Sequence, residues 1–105
     1  MKPFALNLSE NTTSKRTPIL TIENANKMRS GMIVLQHGEE ICAHNTNENE
    51  ELIVVLEGEA TVEIVCQVFF EVKSGSVAYI PSRTLHNVIN NADSQLRYIY
   101  IVSQA

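Results

Sequence analysis

The chain has 105 residues, enough for one domain and too few for two. A hydrophobic share of 44% against 19% charged residues argues against a disordered chain. A net charge of −4 with no block of Lys and Arg argues against a nucleic-acid partner, and the longest apolar run, Leu52 to Leu56, is far too short for a membrane-spanning helix.

The first nine residues, Met1 to Ser9, contain no apolar stretch of signal-peptide length, and Cys42 and Cys66 form neither a CxxC pair nor a disulfide framework. The expectation is a reduced, cytoplasmic setting.

Residues 1–17 are polar and aperiodic, ending at Thr17-Pro18, and read as an N-terminal arm before a single domain over residues 18–105. Ile19 to Ile22 and Met28 to Leu35 are β-rich runs, separated by Glu23 to Lys27, the one stretch with a weak helical signal. His37 to Glu40 is a turn, Ile41 to His44 a short strand, and Asn45 to Glu50 a polar loop. Leu52 to Leu56 and Ala60 to Val65 are strands joined at Glu57-Gly58-Glu59. A turn at Cys66-Gln67 leads to Val68 to Val72, and Lys73-Ser74-Gly75 leads to Val77 to Ile80, which Pro81 ends. Asn87 to Ile89, an Asn-rich turn and Leu96 to Val102 complete the set. Many short strands between turns predict an all-β sandwich or barrel.

Two strands, Leu52 to Leu56 and Tyr98 to Val102, are apolar on both faces. A strand with one face in water alternates, so the outer face must be covered as well. A homodimer, with a role for the N-terminal arm, is the economical explanation.

Gly38, His44, Glu51 and Gly58 fall on the frame G-x5-H-x-H-x(3,4)-E-x6-G, with Thr46 in place of the second histidine. Gly75, Pro81, His86 and Asn90 fall on G-x5-P-x-G-x2-H-x3-N, with Arg83 in place of the middle glycine. These are the two motifs of the cupin superfamily, and from Gly38 to Asn90 the chain resembles a small single-domain cupin. The resemblance implies a double-stranded β-helix, a jelly-roll-like barrel, holding one divalent metal ion on His44, Glu51 and His86. Of the two adjacent glutamates, the spacing to Gly58 selects Glu51.

Two imidazoles and a carboxylate suit Fe, Mn, Ni or Zn without distinguishing them. His44 and Thr46, two apart on an extended segment, project to one face. The Thr46 hydroxyl has two readings, a hydrogen bond to substrate or to a metal-bound water, and a packed role in the pocket wall. Cys42 shares the parity of His44 if its strand is regular; the favoured reading is a small buried hydrophobe. Tyr79, Tyr98, Tyr100 and Arg83 complete the candidate substrate pocket. Tyr98 and Tyr100 share one face, but alternation does not say which face is inward. Arg83, near the barrel mouth, either attracts an anionic substrate or is a solvated loop residue.

The implied function is an enzyme of dioxygenase, isomerase or lyase type acting on a small molecule, with no catalytic residue assignable. The competing reading is a non-catalytic binding or sensing module with a weak or vacant metal site. Fold alone does not choose between them.

Overall fold

Strands form where β-branched and aromatic residues run together, and turns form where glycine and asparagine interrupt them. The computed structural model describes residues 1–9 and 14–104. Residues 10–13 of the expected arm and residue 105 lie outside the described residues. The strands are β1 (Arg16–Leu20), β2 (Met28–Leu35), β3 (His44–Asn45), β4 (Glu50–Glu57), β5 (Glu59–Ile64), β6 (Val68–Lys73), β7 (Val77–Ile80), β8 (Leu85–Ile89) and β9 (Leu96–Ser103). No helix forms among the described residues, so none is long and apolar enough to cross a membrane.

Two antiparallel sheets face each other, one in the order β1-β2-β9-β4-β7 and the other β3-β8-β5-β6. Register decides which side chains look inward, because direct partners share a face. Ile33, Tyr98 and Val55 form one row across β2, β9 and β4, and all three are buried. Gly31, Tyr100, Ile53 and Ala78 form the next row. The central cluster joins these rows to Ala60, Val62, Ile64 and Val88 of the other sheet.

Glycine is required at Gly58, between β4 and β5. Its φ is +81°, and an added Cβ would sit 2.3 Å from the Gln95 carbonyl oxygen.

The structure departs from the sequence reading at two strands. β1 begins at Arg16 rather than Ile19, so the expected boundary of the arm falls inside it. β1 pairs only with β2, and an edge strand tolerates Pro18, which stands next to a register shift. The expected strand from Ile41 to His44 shrinks to His44–Asn45, because Cys42 has a φ of 82° and breaks the extended run.

The chain itself covers part of the outer face. Met32 and Val34, opposite in parity to the inward Ile33, are buried outside the central cluster. Phe4, Leu6 and Leu8 approach that face, lining a hollow together with Ile19, Met28 and Ile99. The guanidinium of Arg97, on the same face, donates to the Leu8 carbonyl at 3.4 Å.

Candidate metal centre

The two sheets supply different parts of the site. His44 on β3 and His86 on β8 are direct register partners, so their rings stand side by side with centroids 4.2 Å apart. Glu51 comes from the opposing sheet, on the inward face of β4 with Ile53 and Val55. Its Oε1 lies 3.3 Å from His86 Nε2 and 3.9 Å from His44 Nε2. One ligand atom from each residue lies within 4.8 Å of the others, close enough for a single ion.

Both rings are held from behind in the same way. His44 Nδ1–H donates to the Cys42 carbonyl and His86 Nδ1–H to the Thr84 carbonyl, each at 3.1 Å. A carbonyl only accepts, so this assignment puts the proton on Nδ1 and leaves an Nε2 lone pair facing Glu51. His86 Nε2 is buried and makes no hydrogen bond, though it lies 3.3 Å from Glu51 Oε1. A lone pair beside a carboxylate in a buried site calls for a cation between them, a proton or a metal. The titration of His86 shows the same demand. Burial pulls it down, but the pairing with Glu51, the Thr84 carbonyl and the Glu51 charge outweigh burial and raise it above the usual histidine value. The donor set therefore fits a divalent ion, borderline in softness and held by nitrogen and oxygen.

Thr46 is buried, and its hydroxyl is used by the backbone: it donates to the Pro81 carbonyl at 2.7 Å and accepts from the Thr84 N–H at 3.0 Å. The Thr46 N–H also donates to the Thr84 carbonyl, the same oxygen that holds His86. Where the motif has a histidine, this chain has a staple behind His86.

The other candidates divide. Cys42 is exposed, contrary to the buried-hydrophobe expectation, because its positive φ takes it out of a regular strand; it borders the same cavity as His44. Tyr98 and Tyr100 face inward and line that cavity of about 460 Å³. Burial and the charge of Glu51 push the Tyr98 hydroxyl well up, so it keeps its proton and can only donate it in a hydrogen bond. The Tyr100 ring lies over Gly31, where a Cβ would come within 2.8 Å of it. Tyr79 is directed away from this cavity: its partner Leu52 has the parity opposite to Glu51, and its hydroxyl donates to Glu50 on the outer surface. Arg83 is solvent-exposed, pairs with Glu48 at 3.2 Å and borders a different hollow. Its φ of 55° explains why the motif has glycine there.

Sequence reasoning missed Arg16, Asn45, Asn47 and Asn49, which line the cavity. The signal for Arg16 is present, since Arg16 to Leu20 reads as a strand once proline is admitted on an edge. Asn47 and Asn49 sit in a loop with no periodicity to orient them, and Asn45 ends the two-residue strand β3.

The cupin-domain family profile matches residues 31–102. Comparison with the curated proteins gave no significant match. Among solved structures, a Bacillus halodurans protein superposes with a TM-score of 0.84 at 21% identity, covering 99% of this chain and 83% of that one. An RmlC-like cupin family protein with a double-stranded β-helix fold, from Methanocaldococcus jannaschii, gives 0.82 at 18% identity, covering 99% and 93%. A predicted oxalate decarboxylase of Thermotoga maritima gives 0.79 at 21% identity, covering 86% and 79%. With both motifs, the two-sheet barrel and the profile match in agreement, the chain belongs to the cupin family.

Proposed function

We propose that this chain holds one divalent metal ion on His44, Glu51 and His86 and is a cytoplasmic enzyme acting on a small molecule bound in the adjoining cavity. The observation that carries the reading is His86 Nε2, buried, without a hydrogen-bond partner and turned toward the Glu51 carboxylate. The chemistry such an ion supplies when bound is polarisation of substrate oxygens or activation of dioxygen. Three protein ligands suit that role, since catalytic sites keep coordination positions for water and substrate.

The chain's own residues prepare the site. The Cys42 and Thr84 carbonyls fix the ring orientations, and Thr46 fixes Thr84. Tyr98 offers a hydrogen-bond donor beside the ligands. Asn45, Asn47 and Asn49 add amide groups on the cavity side. Dioxygenase, isomerase and lyase chemistry all belong to the proposed class, and the likeness to a predicted oxalate decarboxylase supports including the lyase. The same asparagine-rich lining, able to bind but not to exchange protons at neutral pH, favours non-catalytic small-molecule binding as the second reading.

Two copies are proposed to pair through apolar surface left open on the edge strands, where Phe69 and Val77 stay exposed. Light scattering on the purified protein checks this, and a strictly monomeric mass rejects it.

The test of the main reading is elemental analysis of protein purified without a histidine tag, with His44→Ala and His86→Ala beside it. One equivalent of metal that both variants lose is the expected result. Sub-stoichiometric metal unchanged in the variants, after reconstitution with Fe, Mn, Ni and Zn in turn, rejects the reading. Oxygen uptake over small acids, sugars and thiols then separates an oxygenase from non-redox chemistry. Silence in every assay, with one ligand raising the melting temperature, favours the binding module.

A further inference from the structure

Arg16 reaches the cavity from the edge of the larger sheet. It is the register partner of Ile33, which is the partner of Tyr98, so the three share the cavity face; Ile33 and Tyr98 are buried there, and Arg16, on the edge strand, is exposed at the rim. Among the described residues, Arg16 and Glu51 are the only Arg, Lys, Asp or Glu side chains lining the cavity. Glu51 is committed to the two histidines. Arg16 forms no ion pair and no side-chain hydrogen bond among the described residues, whereas Arg83 pairs with Glu48 and Arg97 with Glu57.

A guanidinium left free on a cavity wall is a ready fork for a carboxylate, which it can grip with two parallel N–H···O bonds. The rest of that wall, Ile33, Tyr98, Tyr100 and Val102, suits a short carbon skeleton. With a divalent ion on one Glu and two neutral histidines, the charges at that end sum to positive, and Arg16 adds one more. A volume of about 460 Å³ admits a compact molecule.

We propose that Arg16 is the specificity-determining residue of the cavity and that its ligand is a small organic acid, bound as the carboxylate anion with its charged group on Arg16 and its other end toward His44, Glu51 and His86. This rests on the metal-site reading above and names the ligand class for that site.

The test uses the full chain loaded with Mn(II), with metal content measured on every sample. Calorimetric titration compares acetate, pyruvate and succinate with their amides. At least one acid should bind, its amide at least about tenfold more weakly. Arg16→Gln should weaken the acid at least about tenfold at unchanged Mn(II) content, bring acid and amide to similar affinity, and be partly rescued by Arg16→Lys. Binding of the acids unchanged in Arg16→Gln, amides binding as well as acids, or no acid binding to Mn(II)-loaded protein overturns the assignment of Arg16. A wild type that takes up no Mn(II) or other metal instead overturns the metal reading, and this inference with it.

Discussion

His86 and Asn90 are two buried polar side chains on one stretch of backbone, four positions apart at β8 and its end, and they are satisfied in opposite ways. Asn90 closes one end of the barrel with nothing left over. Its Nδ2 donates to the Leu35 and Ser94 carbonyls, both at 2.9 Å, and its Oδ1 accepts from the Ala92 N–H at 3.0 Å. His86, at the other end, is bonded on Nδ1 and left open on Nε2. Both belong to the same sequence motif, yet one position builds the barrel and the other equips it. A buried polar group with every bond made stabilises the fold; one with a bond withheld points to a ligand.

The sharpest way to break this comparison is to remove Asn90. Asn90→Ala strands two carbonyls and an N–H, and at about 1 kcal/mol for each lost bond the folded state should lose about 3 kcal/mol, read from the denaturation midpoint. Metal bound per folded chain should not change; loss of metal from folded Asn90→Ala would erase the distinction.

The converse substitution is His86→Ala. Metal affinity should drop by more than the roughly 10–100-fold that loss of an outer partner costs, because a ligand itself is gone. Stability without metal should fall less than in Asn90→Ala, since the variant also removes the lone pair that faces Glu51. Equal stability losses in the two variants, with metal retained, would contradict the account.

Thr46 gives a finer test, because it acts on His86 through the Thr84 peptide. Thr46→Val should cost about 1–2 kcal/mol by leaving the Thr84 N–H and the Pro81 carbonyl without their partner. It should also weaken metal binding about tenfold, as a partner behind a ligand does. Thr46→Ser keeps the hydroxyl and should restore most of both. A Thr46→Val chain with metal affinity intact would reduce Thr46 to packing.

The smallest effect is in pH. His86 titrates above its ordinary value in the metal-free fold, so its protonated form contributes stability that is complete below the unfolded value of about 6.5. That contribution is lost as pH rises through the raised folded value. Metal needs the neutral ring, so the stabilisation conferred by Mn(II) should grow across the same window. Melting temperatures with chelator should decline there relative to His86→Ala, while those with Mn(II) should climb relative to the chelated protein. A chelated protein gaining stability over that variant as pH rises would reverse the sign.

The sequence made most of the barrel legible through its punctuation. Gly38, Gly58 and Gly75 all have φ near +80°, and the expected turns fall at each. The convergence of His44, Glu51 and His86 was legible too, because motif spacing records where a closed sheet returns. Side-chain direction was harder. Tyr98 and Tyr100 lie in a strand apolar on both faces, so only the pairing of β9 with β2 and β4 shows that they look inward. Tyr79 looks outward for the same reason of register. Cys42 borders the expected cavity, but its burial was misjudged, because a positive φ takes it out of a regular strand and nothing in Ile41 to His44 signals it. Thr46 stayed open because its partners, Pro81 and Thr84, are distant in the chain and adjacent only after folding.

The proposed centre requires one cation between Glu51 and the two histidines. Crystals soaked in Mn(II) and measured at the manganese absorption edge test it directly. One strong anomalous peak per chain is expected, bounded by His44 Nε2, His86 Nε2 and Glu51 Oε1. An ordered site without a peak there, or manganese bound only elsewhere on the surface, would contradict it.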